Sequence, residues 1–167
     1  AGRQKKHLGI IALLALSCTL AFILSVRHLK AEFFFSRSIY SMPFAKGHQD
    51  KLGPAEKDLK HATQTYAFDP SYHFSLAYLL LRENRHSESI QSINQALHLD
   101  PYHINYLNNQ GFIYAKLGDF NKAIEAFKKT LEIYPQYESA QKNLDILLKK
   151  TGQSPVTHNE TIPDETK

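Results

Sequence analysis

Apolar residues follow two different patterns along the chain, one continuous and one periodic. Near the N-terminus, residues 8–26 form an uninterrupted run of 19 residues without a charge. From residue 54 onward, apolar and small residues instead recur at intervals of three or four positions. This period is typical of helices that bury one face. The hydrophobic pattern therefore predicts an all-α chain with one long apolar helix followed by several amphipathic helices.

Prolines, glycines and capping residues divide the periodic part into separate helices. The first is predicted over residues 54–67, with Pro54 in its first turn. Asp119 is expected to cap the start of a later helix. The other helices are predicted over residues 71–82, 87–99, 103–117, 120–134 and 137–150. Residues 151–167 are mostly polar and are predicted to be disordered, because they bury too little apolar surface to offset the entropy of ordering.

The continuous run is long enough to cross a membrane as a helix. Its length is roughly 28 Å at 1.5 Å per residue, against a hydrocarbon core of about 30 Å. Residues 1–7 form a basic flank in front of it. Two alternatives stay open: a cleaved signal peptide, and a lipid anchor at Cys18. A retained transmembrane helix over residues 8–26 is the preferred interpretation, because the run is long and no small-residue cleavage site follows it.

The orientation of this span is almost undetermined by charge. The flanking cations are Arg3, Lys5 and Lys6 before the run, and Arg27, Lys30 and Arg37 after it. The positive-inside rule depends on an asymmetry that these two groups barely show. The compact N-terminal group favours a cytoplasmic N-terminus, with the later helices on the non-cytoplasmic (periplasmic) side. The opposite orientation stays open.

Residues 27–53 connect the apolar run to the first amphipathic helix. We expect the membrane helix to continue beyond the bilayer and to end near Pro43, because proline cannot continue a helix. Five aromatic residues of this segment are expected either to pack on the first repeat-like helices or to line the membrane interface. They are Phe33, Phe34, Phe35, Tyr40 and Phe44.

The net charge of +4 is a local property of the N-terminus. Residues 1–30 contribute +5, residues 31–150 contribute +1 and residues 151–167 contribute −2. The nearly neutral amphipathic part lacks the basic surface that a nucleic-acid-binding protein needs, so nucleic acid is not an expected partner. The single cysteine, Cys18, rules out a disulfide within one chain.

Two stretches of the amphipathic part align on each other with an offset of 34 residues. Residues 76–80 fall on 110–114, and residues 89–97 fall on 123–131. A 34-residue period of paired helices resembles the tetratricopeptide repeat. The characteristic small, aromatic and proline positions of that family fall on Gly111, Tyr114, Gly118, Ala123, Phe127 and Pro135 in the second unit, and on Ala77, Leu80, Asn84, Ser89, Ile93 and Pro101 in the first.

The resemblance implies a short solenoid of antiparallel helix pairs. It contains a half repeat over 54–70, repeats over 71–101 and 102–135, and a capping helix over 137–150. Gly111 and Ala123 are expected to let two helices approach, while Tyr114 and Phe127 fill space between units. The interval from Pro70 to Ala77 is three residues shorter than the equivalent interval from Pro101 to Gly111 in the second unit. This difference predicts a shortened first helix in the first unit.

The resemblance also implies a protein or peptide partner on a concave face built from the first helix of each pair. Spacing assigns to this face Phe74, Tyr78 and Arg82, then Asn105, Asn108, Asn109, Phe112 and Lys116, then Lys142, Ile146 and Lys149. The asparagine amides are expected to hydrogen-bond an extended backbone. The cations are expected to bind a carboxylate.

Catalytic and metal-binding patterns are missing from the sequence. The nine histidines include no pair at i, i+4 on a predicted helix. There is no phosphate-binding glycine loop, nucleophile elbow or zinc-protease motif. The chain is therefore predicted to be a scaffold without enzymatic activity, metal or cofactor, anchored to the lipid bilayer. Its oligomeric state is not predicted.

A second resemblance concerns the order of the segments. A membrane span, a basic and aromatic linker, and then a few tetratricopeptide repeats are similar to the C-terminus of bacterial O-antigen ligase or polymerase family proteins of the cell envelope. That resemblance implies further spans upstream of Ala1, with the chemistry in them. This segment would then be a non-catalytic tail.

Overall fold

The computed structural model describes the backbone of residues 2–41 and 52–153, and the side chains of residues 13–39 and 53–153. These residues form helices and no strand, so the all-α prediction is confirmed. The helices are α1 (Gly2–Ser41), α2 (Leu52–Thr65), α3 (Pro70–Arg82), α4 (His86–Leu99), α5 (Ile104–Leu117), α6 (Phe120–Ile133) and α7 (Glu138–Thr151). Phe44, the side chain of Tyr40 and residues 154–167 of the predicted disordered segment 151–167 lie outside the described residues. Thr151, at the start of that segment, is instead the last residue of α7.

The helices belong to two compact units, Ala1–Pro101 and Tyr102–Lys167. In the first unit α1 pairs with α2, α3 pairs with α4, and α2 also packs against α3. In the second unit α5 pairs with α6, and α7 packs mainly against α6 with a smaller contact to α5. Each unit therefore contains one hairpin of the predicted 34-residue period together with neighbouring helices.

The C-terminal part of α1 forms a hairpin with α2. Arg27 Nε donates a hydrogen bond of 2.9 Å to the carbonyl oxygen of Thr65 at one end of the pair. Arg37 forms an ion pair with Asp58 nearer the other end, so the two helices run antiparallel. Ala31 of α1 is fully buried in this contact. The stretch over 54–70, which resembles only the second helix of a repeat, thus has its first helix in α1.

The three described aromatic rings after the apolar run differ in their contacts with the first unit. Phe34 and Phe35 pack against buried residues of the first unit, and the Phe35 ring lies 5.0 Å from the Tyr72 ring. Phe33 points away from these contacts and is 61% exposed. Packing therefore accounts for two of the three described rings.

The N-terminal part of α1 makes none of these packing contacts in the described residues. Its side chains from residue 13 to residue 25 are exposed, including Phe22 at 70%. The segment Leu13–Ile39 is long and apolar enough to cross a membrane by length and composition, with a mean hydropathy of 1.5. A signal sequence near an N-terminus has the same properties.

The first helix of the first repeat is not clipped, and that prediction is wrong. Helix α3 has 13 residues and α5 has 14. Pro70 is itself the first residue of α3, because Asp69 caps the helix by accepting a hydrogen bond of 2.9 Å from the amide of Ser71. Residues 101–103 instead form a turn before α5. The three-residue difference therefore lies almost entirely in the turn.

A tight helix crossing forms the centre of the second unit. The Phe127 ring lies so close to Gly111 that a Cβ atom there would come within 2.7 Å of the ring. Phe127 also belongs to a buried cluster shared by α6 and α7. The members of that cluster are Ala123, Ile124, Phe127, Leu131, Ala140, Leu144, Leu147 and Leu148. The expected role of Gly111 in helix approach is therefore confirmed.

Candidate partner-binding pocket

A cavity of about 220 Å³ opens between α5, the first turn of α6, and α7 in the second unit. Most of its wall is apolar, and its polar groups are two lysines and one amide. The lining residues are Phe112, Ala115, Lys116, Phe120, Phe127, Asn143, Ile146, Leu147 and Lys150. No carboxylate lines the cavity.

Helical spacing explains why these side chains meet. Phe112 and Lys116 are four residues apart on α5, so they lie on the same face of that helix. Ile146 and Lys150 have the same spacing on α7. Phe127 forms part of the buried floor and holds α5 and α6 together. Each wall therefore presents one large apolar side chain and one lysine.

The apolar side chains on the walls remain accessible to solvent. Phe112 is 38% exposed and Ile146 is 63% exposed, whereas Leu147, which also lines the cavity, is buried. Exposure of large apolar side chains around a concave site is a common feature of partner-binding surfaces.

The two pocket lysines lie over aromatic rings. Lys116 Nζ lies 5.2 Å from the centroid of the Phe112 ring, and Lys150 Nζ lies 4.4 Å from that of Phe120. Among the described residues neither lysine has a carboxylate partner, whereas Lys122 pairs with Asp119 at 2.7 Å in the same unit. The pocket therefore combines positive charge with apolar surface.

Three of the residues predicted for the concave face come together at this pocket: Phe112, Lys116 and Ile146. Lys149 is exposed on α7 but is not part of the lining. Lys142 lies on the same helix and pairs with Glu138 at 3.3 Å. The predicted lysines of α7 thus do not face the cavity.

The predicted asparagines make contacts within the second unit. Asn105 Oδ1 accepts a hydrogen bond of 2.8 Å from the hydroxyl of Tyr137. The Asn109 amide donates a 2.7 Å bond to the backbone oxygen of Asn105. Asn108 is buried, and its Oδ1 has no hydrogen-bond partner in the described part of the chain. The side-chain amides of Asn105 and Asn109 therefore form hydrogen bonds within the second unit.

The remaining predicted residues lie on α3 in the first unit. Phe74, Tyr78 and Arg82 follow one another at intervals of four residues along one face of that helix. Tyr78 is about half exposed, whereas Phe74 and Arg82 are partly buried.

Sequence reasoning missed Lys150 and Asn143, which face the cavity. The signal was present in α7, because Asn143, Ile146 and Lys150 follow the i, i+3, i+7 spacing of one helix face. The prediction instead chose Lys142 and Lys149, which lie on neighbouring faces. Phe120, Ala115, Leu147 and Phe127 were also not predicted as lining residues.

A metal centre is not apparent in the described residues. No group of three or more histidine, cysteine, aspartate or glutamate side chains among them is arranged to hold an ion.

Comparison with protein families identifies the repeats. Two models of the tetratricopeptide repeat match the chain, one over residues 70–103 and the other over residues 104–137. These boundaries coincide with the α3–α4 and α5–α6 hairpins and their following turns. The chain therefore carries two tetratricopeptide repeats, and its fold is a tetratricopeptide-repeat solenoid.

Curated proteins that resemble the chain match it over the same region. Tetratricopeptide repeat protein 14 of Mus musculus is 37% identical over 70 residues, which are 41% of this chain and 9% of that protein. Photosystem I assembly protein Ycf3 of Prochlorococcus marinus is 30% identical in an alignment of 88 positions that covers 47% of this chain and 51% of that protein. The chain thus spans about half or less of the length of these relatives.

Solved structures with the same fold include two peptide complexes. The first tetratricopeptide-repeat domain of Spaghetti (RPAP3), bound to the HSP90 peptide SRMEEVD, superposes with a TM-score of 0.67 at 16% identity, covering 75% of this chain and 96% of that one. The second such domain of human RPAP3, in complex with the HSP70 peptide SGPTIEEVD, gives 0.62 at 17% identity, covering 74% and 97%. The two matched repeats and these structural neighbours together define the fold of the chain as that of tetratricopeptide-repeat proteins.

Proposed function

We propose that this protein is a membrane-anchored scaffold that holds a partner protein by an acidic, extended segment bound in the pocket of its second unit. The observation that carries the proposal is the pairing of Lys116 and Lys150 with the exposed apolar side chains of Phe112 and Ile146 around one cavity. The pocket would act by binding and not by catalysis.

The charge of the pocket favours an acidic ligand. No carboxylate lines the cavity, so the positive charges of the two lysines are not neutralised by its walls. A lysine ammonium binds a carboxylate through charge-assisted hydrogen bonds, which are stronger than those between neutral groups. The peptides in the two structural neighbours named above both contain the acidic sequence Glu-Glu-Val-Asp. This agreement supports an acidic peptide as the ligand of the pocket.

The apolar side chains would supply contact area to the same ligand. Phe112 and Ile146 flank the cavity and are exposed without a ligand, so an apolar ligand side chain between them would remove surface of both from water. The pocket is small, and we expect its affinity to be modest.

The apolar part of α1 supports the membrane anchor. Its side chains are exposed from residue 13 to residue 25, although the continuation of the same helix packs into the first unit. A bilayer would cover these exposed apolar side chains. Attachment to a membrane raises the effective concentration of a membrane-bound partner, so a weak pocket becomes sufficient.

A titration of the full chain in lipid nanodiscs tests the pocket. The probe is fluorescent SRMEEVD, measured by anisotropy, with SRMQQVN as the comparison peptide in which the three acidic side chains are replaced by amides. Replacing Lys116 or Lys150 by alanine should weaken binding by about 10-fold to 100-fold, because each loses a hydrogen bond to a charged group. Phe112→Ala should weaken binding as well.

The matched control is Lys122→Ala, which removes a lysine of the same unit that does not line the cavity. It should leave Kd unchanged. Equal binding of SRMEEVD and SRMQQVN, or equal weakening by all three lysine variants, would contradict a pocket that is specific for acidic side chains.

A further inference from the structure

An exposed aromatic turn lies at the end of the first unit that is closest to the apolar part of α1. Residues 66–69 connect α2 to α3, and Phe68 at the tip is 69% exposed. The Phe68 ring stands edge-on to Tyr66, with 5.7 Å between the ring centroids. Phe68 is not among the residues of the described buried clusters of the first unit.

Direct contacts fix the level of this turn along α1. Arg27 Nε donates to the carbonyl oxygen of Thr65, and the His28 ring lies 4.9 Å from that of Tyr66. The charge-free run ends at Val26, immediately before these residues. The turn is therefore level with α1 residues that lie only about 3 Å beyond the run along the helix axis.

This level corresponds to the headgroup region of a bilayer spanned by the run. The headgroup and interfacial layers add about 5–7 Å on each side of the hydrocarbon core. Because α2 runs antiparallel to α1, its C-terminal end approaches the bilayer, while the Arg37–Asp58 ion pair lies farther along α1. The turn after α2 is thus the part of this hairpin that meets the lipid surface.

The chemistry around the turn fits an interfacial site. Tyrosine is favoured at the boundary between hydrocarbon and water, and phenylalanine supplies apolar surface to segments that lie in the interface. Arg27 and Lys30 are exposed at the same level and can bind anionic lipid phosphates. The turn is also held in place, because Asp69 caps α3 and a His73 ring nitrogen lies 3.2 Å from the carbonyl oxygen of Ala67.

We propose that the turn over residues 66–69 is a second membrane contact, with Phe68 inserted among the lipid headgroups beside the span. This inference rests on the proposed membrane anchor and extends it. A single helix leaves a domain free to tilt, whereas two contacts define which end of the first unit faces the lipid. The hairpin of α1 and α2 then stands on the bilayer in a fixed orientation.

Single-tryptophan fluorescence tests the contact directly, because the chain contains no tryptophan. The full chain carrying Phe68→Trp is reconstituted in vesicles of phosphatidylcholine and phosphatidylglycerol, with and without brominated lipid. Two reference variants are Phe22→Trp, in the apolar run, and Ser87→Trp, at the exposed start of α4. Ser87 lies beyond the C-terminal end of α3, and the length of that helix separates this end from the turn over residues 66–69 by about 18 Å.

Phe68→Trp should show blue-shifted emission and be quenched by brominated lipid about twofold or more above Ser87→Trp, since an interfacial ring contacts lipid and an exposed one does not. Phe22→Trp should be quenched most strongly. Circular dichroism should show the same helicity for all three variants.

The reference variants separate the two ways of failing. If Phe22→Trp is quenched but Phe68→Trp behaves like Ser87→Trp, the second contact is wrong and the anchor stands. A blue-shifted Phe68→Trp without lipid quenching would mean that protein covers the turn, which also overturns the inference. An unquenched Phe22→Trp would contradict the membrane anchor itself.

Discussion

The two tetratricopeptide repeats have the same helical hairpin but use different side chains at the helix crossing. In the second repeat Gly111 faces the large ring of Phe127, and a Cβ atom would not fit between them. The positions 34 residues earlier hold Ala77 and Ile93, and both are buried. A larger residue on one helix is thus matched by a smaller residue on the other. The repeat preserves the combined volume of the pair more closely than the identity of either residue.

The first repeat adds a hydrogen bond at this crossing. Ser89 Oγ donates to the carbonyl oxygen of Ala77 at 2.7 Å, and both residues are buried. The equivalent of Ser89 in the second repeat is Ala123, which has no donor on its side chain. The first crossing is therefore partly polar, whereas the second depends on packing alone.

The turns between the paired helices differ in a similar way. Both turns contain a residue with positive φ, which is Asn84 at 60° in the first repeat and Gly118 at 82° in the second. The next residue is Asp119 in the second repeat, which caps α6 through the amide of Lys122. In the first repeat it is Arg85, which makes no side-chain cap and instead forms an ion pair of 2.8 Å with Glu56 of α2. The first repeat is thus attached to the preceding hairpin by charge.

The largest effect is expected from copying the first repeat's small residue into the second. Gly111→Ala should destabilise the protein by about 1–3 kcal/mol, because the Phe127 ring must move to admit a methyl group. Adding Phe127→Ile should restore part of this loss, with a coupling energy of about 0.5–3 kcal/mol between the two sites. Chemical denaturation of the four proteins in this cycle gives the values.

The control for this cycle is Gly53→Ala, since no atom lies within 4 Å of a Cβ built at Gly53. That change should cause no loss of stability. Strictly additive effects of Gly111→Ala and Phe127→Ile would show that the crossing does not depend on matched volumes.

A smaller effect is expected at the turn of the second repeat. Gly118→Ala should cost about 1–2 kcal/mol, because the position has a left-handed backbone that alanine adopts poorly. No atom lies within 4 Å of a Cβ built there, so the cost comes from the backbone and not from a clash. Gly118→Asn copies the first repeat and should cost less than Gly118→Ala, since asparagine tolerates this conformation better. Thermal unfolding of both variants checks the order, and the reverse order would contradict the backbone explanation.

Removing the polar contact of the first crossing should have an effect of similar or smaller size. Ser89→Ala is expected to cost about 0.5–1.5 kcal/mol, the usual net value of one hydrogen bond. Ser92→Ala, at a half-buried position of the same helix, is the control and should change stability little. Denaturant unfolding that ranked the two variants equally would show that the Ser89 bond adds nothing to the first repeat.

Acid should weaken the first unit more than the second. The hydrogen bond from Arg37 holds the pKa of the buried Asp58 below its usual value. Burial raises the pKa of Glu56, but its bonds to Arg85 and Lys60 outweigh burial and leave the pKa lowered. A carboxyl with a lowered pKa in the folded state stabilises that state above its usual pKa of about 4, and this stability is lost as the pH falls through the lowered value.

Hydrogen exchange of the full chain, compared at neutral pH and at about pH 3, measures this difference unit by unit. Protection should fall more in α1 and α2 than in α5 and α6. In the Arg37→Gln variant the acid-induced loss of protection in α1 and α2 should be smaller, because Asp58 loses the bond that lowers its pKa. Equal loss of protection in both units would contradict the role of the Arg37–Asp58 pair.

Periodicity predicted the repeats well because local sequence determines their helix ends. Gly118 and Asp119 mark a turn through backbone conformation and capping, and both functions depend on neighbouring residues only. The pairing of Gly111 with Phe127 could also be predicted, since the 34-residue offset places both at known crossing positions.

The role of α1 was harder to predict from sequence. A ring that packs on protein and an exposed ring have the same apolar character, so Phe33 and Phe34 cannot be distinguished by composition. Only the contact with α2 shows that Phe34 packs and Phe33 does not. The lysines of α7 presented a related difficulty, because the sequence does not show which face of that helix borders the cavity, and Lys149 and Lys150 lie about 100° apart around its axis. The side of the membrane and the similarity to the O-antigen ligase tail stay predictions.

Photo-crosslinking in intact membranes tests the central claim most directly. A photoreactive phenylalanine analogue is placed at Phe112 in the pocket, at Ile146 on the opposite wall, or at Ile133, which is exposed on α6 and does not line the cavity. The account predicts one common protein adduct at Phe112 and Ile146 that is lost with Lys150→Ala and absent at Ile133. An adduct of equal yield at Ile133, or no adduct at either pocket position, would contradict it.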